Sequence, residues 1–309
     1  QHSVQSGGAR PHFVRLAQAY HGDTLGAVSL GGVALFHATY QPLLMKTLEV
    51  GSPGERAPGQ TPAQRAAECA DELAAVMDEH GDQVCAIMVE PLVQGAAGML
   101  TYDASFLRAA RRLADRHGAL LVCDEVATGV GRTGRMWASQ HADVVPDLLV
   151  TAKGVTGGYL PLSAVLATED VYESFLGAPA QARTFFHGHT FTANPLSAAA
   201  ALANLRLMEQ RGLVEAAARL GERLGALLEP LERHSGVVEI RRLGTMIGVE
   251  VRDVGERTGA RVCRAARDHG VWIRPLGDTV ILMPPLGLTD AQAELLVGGL
   301  AAGLDQVYA

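Results

Sequence analysis

Lys153 sits in Leu149-Val150-Thr151-Ala152-Lys153-Gly154 and is one of only two lysines in the 309 residues; the other is Lys46. Lys and Arg total 26, so wherever a fixed positive charge would serve, this chain uses arginine. A retained lysine is a candidate nucleophile, because lysine alone of the two can lose its proton near neutral pH and attack a carbonyl carbon. An ordinary surface lysine is the alternative. Asp124 closes the apolar run Leu120-Leu121-Val122-Cys123, 29 residues before Lys153. Glu90 closes another run, Val84 to Val89, and is followed by Pro91. Three ionisable side chains thus fall at the ends of apolar segments. Asp124 could also cap a turn, as Asp often does, and Glu before Pro can simply end a strand.

The elements that must position these residues follow from the hydrophobic pattern. Strands are expected at His12–Leu16, Val84–Val89, Ala119–Cys123 and Leu148–Val150. Residues 51–62, rich in Gly and Pro, form a loop, and helices are expected over 63–80 and Ala104–His117, the second capped by Gly118. Asn194-Pro195 has the form of a helix start, with the helix running to Gln210 and a second one from Leu213 to Arg233. After Gly236 the texture changes. Strands are expected at Val237–Leu243, Met246–Val251, Val271–Pro275 and Val280–Met283, with helices near 258–269 and 290–303; Thr289 and Gln292 have capping-box spacing for the last. Short apolar strands alternating with amphipathic helices predict an α/β fold with a mostly parallel sheet buried on both faces. In such sheets chemistry gathers beyond the carboxyl ends of the strands. The expected organisation is a large domain over 1–211 and a smaller α+β domain over 212–309. The chain opens without methionine and enters a strand almost at once, so an N-terminal portion is expected to be missing.

Composition excludes several classes. Net charge is −7 with no basic block, which argues against nucleic acid as a partner. No apolar run reaches the roughly 20 residues a membrane span needs, and no signal-peptide pattern opens the chain. Cys69, Cys85, Cys123 and Cys263 are scattered without a C-x-x-C pair, so reduced thiols in a cytoplasmic setting, and no metal site, are expected. A G-x-G-x-x-G after an early strand, the mark of a dinucleotide fold, is absent.

A carboxylate and a lone lysine at neighbouring strand ends suit pyridoxal phosphate: the lysine attaches the cofactor and the acid keeps its ring nitrogen protonated. Around these residues the sequence resembles the class III, or ω-type, aminotransferases of fold type I. The resemblance rests on Tyr20-His21-Gly22-Asp23-Thr24, Val89-Glu90-Pro91, Asp124-Glu125-Val126-Ala127-Thr128-Gly129-Val130-Gly131-Arg132-Thr133-Gly134, Thr151-Ala152-Lys153-Gly154 and His187-Gly188-His189-Thr190-Phe191, in that order. Ala127, Gly157-Gly158-Tyr159-Leu160-Pro161-Leu162, Gly270-Val271-Trp272-Ile273-Arg274-Pro275 and Met283-Pro284-Pro285 are similar to the branch of that class that works in biotin synthesis.

What the resemblance implies is specific. Lys153 and Asp124 are the catalytic residues. Tyr20 stacks on the cofactor, His21 lies near it, and Thr190 binds its phosphate across a homodimer interface. Arg274 takes the substrate carboxylate, with Tyr20, Asp23, Arg132 and Gly188 completing the substrate site. Glu90 and His189 lie nearby in unassigned roles. Each also has a plain structural alternative: core packing for Tyr20, a local backbone bond for Thr190, a surface arginine for Arg274 and loop roles for Asp23 and Arg132. The implied reaction moves an amino group from S-adenosylmethionine, or lysine, onto 8-amino-7-oxononanoate. Another class III aminotransferase, or an inactive protein of the same fold, is the alternative. Two departures stand out: no Ser/Gly-rich loop precedes Tyr20, and Leu286 follows Met-Pro-Pro where the branch often has Tyr.

Overall fold

The computed structural model describes residues 1–309, the side chains at 35 and 36 excepted. The chain forms two compact units. The first comprises Gln1–Pro91, Tyr102–Ala127 and Ser139–Leu207, and the second Leu92–Thr101, Thr128–Ala138 and Met208–Ala309.

The first unit is built on a six-stranded sheet: β1 (His12–Leu16), β2 (Leu48–Val50), β3 (Val84–Val89), β4 (Leu120–Asp124), β5 (Leu148–Thr151) and β6 (Ala164–Ala167). Their order is β2-β1-β3-β4-β5-β6, and every pairing is parallel except β5 with β6. The expected parallel sheet is therefore present, with an antiparallel edge strand added. The central strands run apolar because both faces are covered; Ile87, Val89, Leu121 and Cys123 are fully buried.

Parallel neighbours need long crossovers, and two helices supply them. Pro62–His80 starts with a capping box between Thr61 and Gln64 and buries Ala66, Cys69, Leu73 and Met77 along one stripe. Ala104–His117 is capped by Asp103, whose side chain accepts from Ser105 N at 2.8 Å, and stops at Gly118 in the left-handed region (φ +63°). These two helices pack on each other.

The second unit holds a four-stranded antiparallel sheet of β7 (Val237–Leu243), β8 (Met246–Val251), β9 (Arg274–Leu276) and β10 (Thr279–Leu282), in the order β9-β10-β8-β7. Helices Leu213–Leu228, Thr258–Arg267 and Asp290–Tyr308 accompany it, and the core gathers Leu220, Leu224, Ile247, Val262, Leu282 and Leu300. The last two helices approach closely because Gly303 has no side chain; a Cβ there would lie 2.8 Å from the Val262 carbonyl oxygen.

Several boundaries differ from expectation for identifiable reasons. The helix expected over 213–233 ends at Leu228, and Glu229–Arg233 is a 3-10 turn. Pro230 lacks the N–H an α-helix interior requires and is tolerated only in a first turn. The strand expected at Val271–Pro275 forms instead at Arg274–Leu276. The final helix continues past 303 to Tyr308. Strands β2 and β6 were not expected, nor was the ladder Val93–Gln94 with Leu100–Thr101. Cys85, on the buried strand β3, is only half-buried.

Candidate active site

The order in which strands are added to the first unit's sheet reverses about β1. From there the chain leaves toward β2 on one side and returns to β3 on the other. Crevices at such reversals, beyond the strand carboxyl ends, are where open α/β sheets bind ligands. Tyr20 and His21 follow β1, Glu90 follows β3, Asp124 ends β4, and Lys153 lies just past β5.

Glu90 ties two of these ends together. Its side chain is 5% exposed and accepts from Tyr20 N at 3.0 Å, while its carbonyl accepts from Tyr102 Oη at 2.7 Å. The acid at β4 is held more tightly still. Asp124 is buried; its Oδ2 is 2.8 Å from His21 Nδ1, and its Oδ1 accepts from Val126 N at 3.0 Å. Both carboxylate oxygens thus have hydrogen-bond partners although the residue is buried. The His21 side chain is wholly buried, and its Nε2 has no hydrogen-bond partner. One ring nitrogen is thus anchored on Asp124, and the other is a buried polar atom left for a partner.

Tyr20 Oη donates to Asp23 Oδ1 at 2.9 Å, and its ring lies parallel to His37 at 6.3 Å. Burial and the neighbouring Asp23 push the Tyr20 phenol pKa up, so the hydroxyl keeps its proton. His37 is pushed down, chiefly by burial and then by the charge of Arg15, and is neutral.

Lys153 opens a short 3-10 turn, Lys153–Thr156, directly beyond β5. Val150 is the β-partner of Asp124, so the amine-bearing residue follows three positions after the acid's own neighbour. Lys153 is exposed and adopts φ +44°, a left-handed backbone that a lysine reaches only at a cost. Thr151, two residues earlier, has a buried hydroxyl without a partner.

The structure thus brings Tyr20, His21, Asp23, Glu90, Asp124 and Lys153 to one end of one sheet. Gly188, His189 and Thr190 are exposed in the same unit, in irregular chain before the helix Pro195–Gln210. Arg132 and Arg274 belong to the second unit. The Arg132 guanidinium donates to the Pro284 carbonyl, and its own carbonyl accepts from Thr245 N at 2.9 Å. Arg274 is exposed on β9 and lines a cavity of about 510 Å³ with Trp272, Ile281, Met283 and Leu296. His37 gave no sequence signal. Among the described residues no group of three His, Cys, Asp or Glu side chains could hold a metal ion.

A buried, hydrogen-bonded acid with an amine at the next strand end can hold a cationic heteroaromatic ring and bond a carbonyl covalently. Comparison with known proteins gives the same direction. The profile described as aminotransferase class-III matches residues 1–304. The adenosylmethionine-8-amino-7-oxononanoate aminotransferase of Nitratidesulfovibrio vulgaris is 48% identical over 299 residues, covering 93% of this chain and 55% of that protein. The protein of that name from Geobacter sulfurreducens is 44% identical over 315 residues, covering 96% and 68%. The chain therefore spans between about half and two thirds of the length of these relatives. Among solved structures, the Methanocaldococcus jannaschii protein of the same name superimposes with a TM-score of 0.91 at 32% identity, over 99% of this chain and 70% of the other. A transaminase solved with L-alanine gives 0.93 at 32% identity, over 99% and 76%.

Proposed function

The chain belongs to the class III aminotransferases, and from that premise we propose that it moves an amino group from S-adenosylmethionine, or lysine, onto 8-amino-7-oxononanoate to give 7,8-diaminononanoate in biotin synthesis. The cofactor in this reading is pyridoxal phosphate. When bound, it supplies an aldehyde that condenses with an amine, releasing water, and a ring that accepts the electron pair freed when a donor C–H bond breaks.

The observation that carries the reading is the buried Asp124, held by His21 Nδ1 and Val126 N, with Lys153 at the adjacent strand end. The residues fit the cofactor. Asp124 is a shielded acid for the ring nitrogen, and the partnerless His21 Nε2 and Thr151 Oγ1 are buried polar atoms of the kind found where a polar ligand is received. Lys153 would attach the cofactor and shuttle the proton of the 1,3-transfer between the substrate carbon and the cofactor carbon in each half-reaction. His21 acts through Asp124 by holding the carboxylate in place. Tyr20 packs its ring on the cofactor, and Thr190 binds the phosphate. Arg274 receives the substrate carboxylate with its planar fork, and Asp23, Arg132 and Gly188 complete the substrate site.

The same reading makes the protein a homodimer, with Thr190 reaching its partner's cofactor. Supporting this, the first unit exposes Tyr159, Phe186, Phe191 and Leu196, all more than 70% accessible, as well as the unpaired edge of β6; apolar surface of this kind marks an interface. We assign residues 1–211 to the cofactor domain and 212–309 to the smaller one. A cytoplasmic location accords with four free cysteines, and among the described residues no helix is long and apolar enough to cross a membrane. Transaminase structures match as well as the biotin-pathway one, so a different amine donor or acceptor is the second reading.

Adding pyridoxal phosphate to the purified chain is expected to raise an absorption band above 400 nm that borohydride discharges, leaving a modified Lys153 peptide. Modification at another residue, or the same band in Lys153→Ala, counts against the mechanism. Product formation from 8-amino-7-oxononanoate with each donor separates the two readings.

A further inference from the structure

The lysine turn is held from outside by a residue that the mechanism has not used. Asn204 lies in the helix Pro195–Gln210, and its Nδ2 donates to both the Gly154 carbonyl (3.0 Å) and the Val155 carbonyl (3.1 Å). The contact is close on a second side. Gly157 has φ +62°, and a Cβ added there would lie 2.8 Å from Asn204 Oδ1. The turn's own bonds are Val155 N to Ala152 O at 3.1 Å and Gly157 N to Gly154 O at 3.0 Å, and Thr156 Oγ1 closes it by donating to Leu160 O at 2.6 Å. Lys153 itself is exposed at φ +44°.

A non-glycine residue keeps a left-handed backbone only where its surroundings over-determine it. Here the two carbonyls immediately after Lys153 are pinned to a helix. Releasing them frees residue 153 to rotate toward negative φ, which would swing the lysine Cα–Cβ bond away from its present direction. We propose that Asn204 is a positioning residue for Lys153: its amide fixes the strained turn and so aims the amine at the cofactor carbonyl. This rests on the proposal above that Lys153 is the attaching amine.

The test compares the parent chain with Asn204→Ala and Asn204→Asp. The aspartate keeps the volume and loses both donors, so it stays informative if the alanine variant folds poorly. Three quantities are measured: the rate of covalent attachment of pyridoxal phosphate, mapped after borohydride; the affinity for pyridoxine phosphate, which has an alcohol in place of the aldehyde; and the melting temperature without cofactor. Both variants are expected to attach at Lys153 about ten- to thirtyfold more slowly, the scale of one to two lost hydrogen bonds, with pyridoxine phosphate affinity unchanged within about twofold. Attachment at the parent's rate in Asn204→Asp overturns the inference. So does an equal fall in both attachment and alcohol binding, which would mean a general loss of structure. If the parent itself is labelled elsewhere than Lys153, the underlying assignment has failed, and the two failures are thereby told apart.

Discussion

Replacing Lys153 should make the protein more stable with glycine than with alanine, reversing the usual order. At φ +44°, any L-residue bears a left-handed penalty of roughly 1–2 kcal/mol that glycine escapes. Glycine also costs about 0.4–1 kcal/mol through the greater freedom of the unfolded chain. The net preference for Lys153→Gly over Lys153→Ala is then about 0.5–1 kcal/mol. Lys46 provides the control, because it too is exposed but is not among the residues with positive φ. There glycine should be the weaker by about 0.4–1 kcal/mol. Subtracting one pair from the other cancels the unfolded-state term and leaves the strain alone, about 1–2 kcal/mol. The side chain of Lys153 makes no hydrogen bond or ion pair among the described residues, so no lost contact confuses the comparison. Both tryptophans, Trp137 and Trp272, lie in the second unit, so fluorescence would report on the wrong half. Hydrogen exchange of peptides covering Leu148–Thr151, followed through a urea series, reads the right one. If glycine is the weaker residue at both positions, the strain is not real and the argument for a functional lysine loses its structural support.

Three further outcomes are expected. Asp124→Asn should still take up cofactor at Lys153, detectable as the trapped peptide, while amino transfer falls about a thousandfold; that is the scale of a sheltered charge pair of roughly 4 kcal/mol at about 4 Å and an effective dielectric of 20. Unchanged transfer would show that the acid does not hold the ring proton. Burial lifts the Cys69 thiol from 9.0 to about 12 and that of Cys263 to about 11, so at pH 8 iodoacetamide should modify the half-buried Cys85 first, with Cys69 roughly a thousandfold slower than an ordinary thiol. Because these folded values lie above the unfolded one, their contribution to stability is complete below about pH 9 and is lost as pH rises toward 12; a urea midpoint that does not fall over that range contradicts the assignment.

Much of the site could be read before the fold was known, and the reason is local. Strands β3 and β4 are buried on both faces, so they appear in sequence as unbroken apolar runs, and the polar residue that stops each run is by construction at a strand end. That is how Glu90, Asp124 and Lys153 were found together. Strand β2 escaped notice because it has three residues, too few for any pattern to register. Strand β6, Ala164–Ala167, is exposed along its whole length, so its apolar side chains are unexplained by the chain's own core and follow no alternation. The split at Pro230 was visible in principle, since proline is a helix breaker, but a continuous hydrophobic stripe on both sides masked it. Asn204 carried only a faint mark: an amide in the middle of an Ala- and Leu-rich helix, where asparagine is a poor helix former. Its partners lie about 50 residues away, beyond the reach of any local pattern.

The pairing of His21 with Asp124 spans 103 residues of sequence and shows what topology adds. A motif can place a histidine after β1 and an aspartate at β4, yet only the order β1-β3-β4 brings those ends within hydrogen-bond reach. The same order separates two requirements that conflict. In the proposed mechanism the acid needs shelter and partners, and a strand flanked on both sides supplies the shelter while His21 and Val126 supply the partners. In the proposed mechanism the amine must attack and be released, which needs access, and a turn beyond the next strand leaves it exposed. Placing the lysine on the strand itself would bury it beside the carboxylate and favour its protonated, unreactive form. Setting it one short, strained turn further out keeps it near the acid without locking the two into an ion pair, and the strain at residue 153 is the cost of that separation.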